Sequence, residues 1–140
     1  MIMKVLVCGG RDYNDYDVLK CVMEKVMDCY SAEVKVVISG LAKGGDKLGE
    51  KWAEENNIEV EGYRAEWNKY GKRAGWLRNV RMADEGRPNV IVALPGGRGT
   101  KMMIDIGVDR KIDTIVVDDE NRKLKWAYSK DNELKKWMEK

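Results

Sequence analysis

Three short segments of the chain combine glycine with charged or hydroxyl residues, a composition suited to holding an anionic ligand. They read CGGRDY from residue 8, SGLAKGGD from residue 39 and PGGRGT from residue 95. Glycine permits tight turns and close backbone approach, and backbone N–H groups bind phosphate. The candidate ligand-binding residues in these segments are Gly9, Gly10, Arg11, Asp12, Ser39, Gly40, Lys43, Gly44, Asp46, Pro95, Gly96, Gly97, Arg98, Gly99 and Thr100.

A fourth segment, GKRAGWLRNVRM at residues 71–82, adds Arg78 and Asn79 to the candidate site. The planar guanidinium of arginine matches phosphate, and an asparagine amide can hydrogen-bond a base or a ribose. Asp46 has two interpretations, as the cap of the second helix or as the acceptor of a ribose hydroxyl. Neither G-x-G-x-x-G nor G-x-x-x-x-G-K-[ST] occurs, which disfavours NAD and a P-loop triphosphate.

The elements that must position these residues alternate between strand-like and helix-like patterns. Strictly alternating strands and helices predict a Rossmann-like α/β fold, a mainly parallel five-stranded sheet with helices on both faces. A strand order of 3-2-1-4-5 would bring the first and third glycine segments together where the chain reverses direction. Strand-like runs occur at residues 3–8, 34–39, 58–63, 89–94 and 113–118, and helical spacing occurs at 18–27, 48–53, 74–84 and 100–110.

The last part of the chain, residues 119–140, differs in its high content of charge. The core is expected at about 4–118, within one domain that spans residues 1–140, since no repeat or linker interrupts it. In the extension, residues 123–128 have the length of a short strand, and an amphipathic helix is predicted from about Asn132, with Leu134, Trp137 and Met138 on one side. This C-terminal helical tail either covers part of the sheet or contacts another subunit.

Composition excludes several classes of function. The 140 residues contain no apolar run that approaches the roughly 20 residues of a membrane span, and the amino terminus lacks a signal-peptide pattern. We therefore expect a cytoplasmic protein with no membrane partner. No histidine is present, which excludes Ser-His-Asp and Cys-His catalysis, and the three cysteines are expected to be free thiols. No metal and no cofactor is predicted, and a net charge of only +2 disfavours a nucleic-acid partner.

Four motifs in this order, GGRDY, ISGLAKGGDKLGEKWA, AEWNKYGKRAGWLRNVRM and VIVALPGGRGTKMM, resemble the YspA-type branch of the SLOG superfamily. That group is related to DprA and to the lonely-guy phosphoribohydrolases, and the resemblance covers about residues 4–118. It implies a bacterial or phage protein with a Rossmann-like fold that binds a nucleotide or a nucleotide-derived, ADP-ribose-like molecule. It also implies a homo-oligomer, with a dimer as the expected form.

The resemblance leaves two functions open. Lonely-guy enzymes carry P-G-G-x-G-T-x-x-E, and here Met103 stands at the glutamate position although Arg78 matches their arginine. A thioether cannot transfer a proton, which favours a binding module that acts as a sensor or a sequestering protein. The alternative is a nucleoside-monophosphate phosphoribohydrolase with another carboxylate, such as Asp12 or Glu66. Asp105 would point about 200° around the helix from position 103, so it is a poor replacement for the glutamate. The catalytic residue is therefore unassigned.

Aromatic and thiol residues near these motifs are predicted to be mainly structural. Trp52 has helical spacing from Leu48 and is expected in the core. Trp67 and Trp76 flank the basic segment, where packing is the expected role and stacking on a base is the alternative. Cys8 ends the first strand and is expected to be a buried, inert thiol.

Overall fold

The computed structural model describes residues 2–120 and 123–131. Within these residues, strands and helices alternate from the first strand to the fifth, as the sequence predicts. The strands are β1 (Ile2–Cys8), β2 (Glu33–Ser39), β3 (Glu59–Gly62), β4 (Val90–Ala93), β5 (Asp113–Asp118) and β6 (Lys123–Tyr128). The helices are α1 (Tyr16–Tyr30), α2 (Gly45–Glu55), α3 (Trp67–Tyr70), α4 (Ala74–Asp84) and α5 (Arg98–Asp109), with a 3₁₀ turn at Gly71–Arg73 between α3 and α4.

All six strands form one sheet in the order β3-β2-β1-β4-β5-β6. Neighbouring strands from β3 to β5 pair in parallel, so the predicted order of the first five strands is confirmed. The chain moves outward from β1 to β3 and then returns to place β4 on the other side of β1. This reversal puts the carboxyl ends of β1 and β4 side by side, at the position where such sheets bind ligands.

The predicted number of strands was wrong by one, because the charged extension adds β6 to the sheet. β6 pairs antiparallel with β5, in a register that joins Thr114 to Tyr128 and Asp118 to Lys123. The strand-like run at 123–128 is therefore a strand, and it covers the edge that β5 would otherwise expose. The predicted tail helix, with Leu134, Trp137 and Met138, lies outside the described residues.

Apolar side chains pack on both faces of the sheet, which accounts for the uniformly hydrophobic central strands. Alternate residues of β1 face opposite layers: Val5 and Val7 pack with α1 and α2, whereas Leu6 packs with α4 and α5. Trp52 is buried in the first layer, as predicted. Each fully buried valine, leucine, isoleucine or methionine side chain contributes about 1.5–3 kcal/mol to stability. The two layers therefore fix the strand ends that carry the glycine segments.

Candidate functional site

A cleft of about 1160 Å³ lies at the carboxyl ends of the central strands, bordered by the loops that follow β1, β2, β3 and β4. All three glycine segments and the basic segment before β4 contribute to its walls. The cleft is large enough for a nucleotide-sized ligand, since small-molecule sites commonly enclose about 300–1,000 Å³. The predicted ligand-binding residues that line it are Gly9, Gly10, Arg11, Gly40, Lys43, Asp46, Arg78, Asn79, Gly97, Arg98, Gly99 and Thr100.

The loop after β1 is held between the two other glycine loops. The backbone N–H of Gly10 donates to the carbonyl oxygen of Pro95 over 2.9 Å, and its own carbonyl accepts from the N–H of Gly45 over 3.0 Å. A Cβ on Gly10 would lie 2.9 Å from the Cα of Gly96, and a Cβ on Gly45 would lie 2.8 Å from the nitrogen of Gly9. Glycine at these positions therefore allows one loop to pack against another.

Gly44 needs glycine for a second reason. Its φ of +78° lies in the left-handed region, and a Cβ there would collide with the carbonyl oxygen of Gly10. It is also the residue that caps the amino terminus of α2. Gly44 therefore supports the loops of the cleft by close backbone packing, but it does not line the cleft.

The glycines at the start of α5 are different, because their surroundings are open. A Cβ on Gly97 or on Gly99 would meet no described atom within 4 Å, and both residues line the cleft. The first intrahelical hydrogen bond at this end runs from the N–H of Lys101 to the carbonyl of Gly97 over 3.0 Å. The preceding N–H groups have no partner within the helix, and the helix dipole adds partial positive charge. The amino terminus of α5 is suited to bind an anion.

The charged side chains around the cleft are predominantly positive. Two carboxylates, those of Asp46 and Glu66, also line it. Within residues 2–120 and 123–131, the cations of the cleft form no salt bridge with a carboxylate. A concave surface with an excess of positive charge concentrates anionic ligands. The seven cationic residues are Arg11, Lys43, Arg64, Lys69, Lys72, Arg78 and Arg98.

Arg78 is fixed by hydrogen bonds to neighbouring backbone and side-chain groups. Its Nη1 donates to the carbonyl oxygen of Gly40 over 3.0 Å, and its Nε donates to Oδ1 of Asn79 over 3.3 Å. The side chain is half-buried and lines the cleft. α4 therefore delivers a positioned guanidinium to the end of β2, with its remaining N–H donors available to a ligand.

Asp46 is the buried acid of the cleft, with only 6% of the residue exposed. Its Oδ2 accepts from the backbone N–H of Ala42 over 3.3 Å. Burial raises the pKa of Asp46 from 3.8 to about 6, although that hydrogen bond and the charge of Arg78 act in the opposite direction. The N-cap of α2 is Gly44, so the interpretation of Asp46 as the helix cap is wrong. A buried carboxyl group that titrates near neutral pH is typical of functional sites.

Asn79 connects α4 to the start of α5. Its Nδ2 lies 3.5 Å from the carbonyl oxygen of Gly99 and 3.7 Å from the sulfur of Met102, and the residue is 4% exposed. Both ends of its amide are therefore engaged within the protein. The contacts make Asn79 a residue that positions the amino-terminal end of α5 as well as one that lines the cleft.

The structure places five predicted residues outside the lining of the cleft: Asp12, Ser39, Gly44, Pro95 and Gly96. Asp12 is exposed, whereas Ser39 is fully buried and its hydroxyl donates to Glu50 over 3.0 Å. The same Ser39 oxygen accepts from the N–H of Leu41 over 3.0 Å, which shapes the turn after β2. These contacts give Ser39 a supporting role.

Sequence reasoning missed most of one wall of the cleft. Residues 64–69, between β3 and the end of α3, line it together with Lys72, Gly75 and Trp76. Trp67 and Trp76, for which packing was the expected role, are 53% and 43% exposed, so neither is buried in the core. The available signal was the pair of tryptophans that flank a basic segment, but α3 is too short for a helical pattern.

Next to the amino-terminal end of α5, the cleft has an apolar floor. Met103 is 1% exposed and packs in the same core layer as Leu6. Cys8 is buried beside it, as predicted, and burial raises the pKa of its thiol far above the ordinary value. Asp105 is exposed, lies outside the cleft and pairs with Lys101 over 3.2 Å. The position of the lonely-guy glutamate is therefore occupied by a core residue.

Two comparisons with known proteins bear on the family to which this chain belongs. A model of the YspA, cpYpsA-related SLOG family matches residues 3–70. The Gene 61 protein of Mycobacterium phage D29 is 35% identical over 106 residues, which cover 68% of this chain and 78% of the phage protein. The chain belongs to the YspA, cpYpsA-related SLOG family.

Membership of this family supports a nucleotide-related ligand-binding module. The relative in a phage agrees with the bacterial or phage setting that the motifs implied. None of the described helices has the length and the hydropathy that crossing a membrane requires.

Proposed function

We propose that the protein binds a nucleotide or a nucleotide-derived molecule such as an ADP-ribose derivative, and that it acts as a sensor or a sequestering module. The observation that carries this proposal is the open amino terminus of α5 at Gly97 and Gly99, inside a cleft lined by seven cationic residues and two carboxylates. The ligand phosphate accepts hydrogen bonds from the free N–H groups of α5, as anions do at helix amino termini. Family membership supports the nucleotide-related class of ligand.

Arg78 and Asp46 are proposed to contact the ribose-phosphate part of the same ligand. Both groups flank Gly40: a Cβ there would lie 2.8 Å from Oδ2 of Asp46 and 3.1 Å from Nε of Arg78. The guanidinium supplies charged donors for phosphate oxygens, and the carboxyl group supplies an acceptor for a ribose hydroxyl. Arg11, Lys43 and Arg98 contribute positive charge near the entrance, since all three are exposed.

One observation favours the phosphoribohydrolase alternative. Asp46 is a buried carboxyl group in the cleft, and its pKa of about 6 suits an acid or base that works near neutral pH. A thioether such as that of Met103 cannot supply this function, and Asp12 does not line the cleft. Among the described residues, Asp46 and Glu66 are thus the carboxylates that line the cleft and could reach a ligand held there.

Calorimetric titration of the full chain with AMP, ADP-ribose and ribose 5-phosphate tests the proposed function. Each titration is followed by chromatography of the mixture after a long incubation. Binding without release of free base supports the binding module, whereas rapid release of base supports the phosphoribohydrolase. If none of the three compounds binds, the proposal of a nucleotide-derived ligand is wrong.

A further inference from the structure

Two tryptophans leave large aromatic surfaces in water within a charged cleft. Trp67 and Trp76 are 53% and 43% exposed, and both line the cleft that contains the start of α5. Among the described residues, the other large hydrophobic side chains with comparable exposure do not line it. Burial of apolar area is favourable by about 25 cal/mol per Å², so a flat ligand group that covers these rings would be bound more tightly.

The position of Trp76 connects this aromatic surface to the proposed phosphate site. Trp76 and Arg98 line both the cleft and an adjoining groove of about 590 Å³ on the outer side of α4 and α5. Arg98 is the first residue of α5, whose amino terminus is the anion-binding end. An aromatic side chain therefore lies next to the place where a phosphate would be held.

Trp67 extends the surface along α4. A Cβ on Gly75 would lie 3.4 Å from Cη2 of Trp67, an ordinary packing distance, so the indole rests against the first turn of that helix. The neighbouring Lys69 and Lys72 also line the cleft. Indole is the best of the side-chain rings for stacking and for contact with cations.

We propose that Trp67 and Trp76 form a stacking surface for the nucleobase of the ligand, while the amino terminus of α5 holds its phosphate. This inference rests on the proposed function and adds the element that recognises the base. Base–aromatic stacking depends on the π face that all bases share, so the surface accepts purines and pyrimidines alike. The ligand class is then a phosphorylated nucleoside with an unblocked base, and ribose phosphates without a base bind more weakly.

The test compares AMP with ribose 5-phosphate, which carries the phosphate and sugar but no base. Calorimetric titration is made with the wild-type chain and with Trp67→Ala and Trp76→Ala. We expect each substitution to weaken AMP binding by about 5- to 150-fold, the range for loss of one base–aromatic stack, and to leave ribose 5-phosphate unchanged. Trp67→Phe and Trp76→Phe should recover most of the AMP affinity, because phenylalanine keeps an aromatic face.

Tyr70→Ala is the matched control, since Tyr70 is a 41% exposed aromatic residue of the same short helix that does not line the cleft. It should leave the affinity for AMP unchanged. If the wild type binds AMP and both alanine variants bind it equally well, the base lies elsewhere and this inference is overturned, although the proposed function stands. If AMP binds no more tightly than ribose 5-phosphate, the inference is likewise overturned. If neither compound binds the wild type, the proposed phosphate site itself is wrong.

Discussion

The guanidinium group of Arg78 donates from Nη1 to the carbonyl oxygen of Gly40 over 3.0 Å. This contact joins α4 to the end of β2 and places the positive charge beside the buried carboxyl group of Asp46. Arg78 and Asp46 are far apart in the sequence, and the sheet brings their segments together. The contact with Gly40 gives the cleft a cation with fixed geometry.

Replacing Arg78 with glutamine should weaken the binding of AMP by about 1.5–3 kcal/mol, because a charged donor to phosphate is lost. Arg87→Gln is the matched control, since Arg87 is exposed in the turn before β4, at the opposite end of the sheet from the cleft. Titration calorimetry on both variants measures the difference. Equal losses in the two variants would show that the overall field of the protein, and not Arg78, attracts the ligand.

Gly99→Val should abolish ligand binding while the fold is kept. A Cβ at Gly99 meets no described atom within 4 Å, so the added side chain occupies space that we assign to the phosphate. Gly45→Ala should instead lower the stability of the fold by about 1–3 kcal/mol, because the added methyl group would overpack against the loop that contains Gly9. Thermal melting and titration of both variants check these outcomes. Normal affinity in a folded Gly99→Val variant would move the ligand away from α5.

Asp46 should make the stability of the protein depend on pH. Because its pKa rises from 3.8 to about 6 on folding, the favourable contribution of its neutral form is present below pH 3.8 and is lost as the pH rises through 6. The ionised group then costs about 3 kcal/mol by the usual conversion of a pKa difference. Asp46→Asn, which keeps an acceptor oxygen, should gain stability relative to the wild type between pH 4.5 and pH 7.5.

Urea unfolding at several pH values measures this difference for Asp46→Asn. Asp12→Asn is the control, since it removes a carboxylate from an exposed position outside the cleft. A difference between Asp46→Asn and the wild type that stays constant across this range would show that Asp46 is ionised without cost.

The wild-type protein should not release free base from AMP, GMP, CMP or UMP at an enzymatic rate, because Met103 replaces the glutamate of the lonely-guy pattern. Met103→Glu would bury a carboxyl group among apolar side chains and should reduce stability by roughly 2–5 kcal/mol. Chromatography of long incubations detects any base. Rapid release by the wild type that disappears in Asp46→Asn would establish the hydrolase and identify its carboxyl group.

Much of this architecture follows from local pattern in the sequence. Runs such as 89–94 are short, apolar and β-branched, and residues 74–84 repeat at helical spacing, so strands, helices and their order could be predicted. The position of the glycine segments after strands then placed a site at one end of the sheet, because parallel strands end on the same side. β6 was missed in the strand count, since it pairs with an edge of the sheet and half of its residues are charged or exposed.

The tertiary structure alone decided what each residue of those segments does. Gly10 and Gly99 look alike in sequence, yet one packs against another loop and the other faces open space, because only the fold determines which backbones are neighbours. The burial of Asp46, and with it a pKa near 6, likewise depends on loops distant in sequence that exclude water. Trp67 reaches the cleft beside Trp76 of α4 because α3 packs against the first turn of that helix, a geometry that no local pattern encodes.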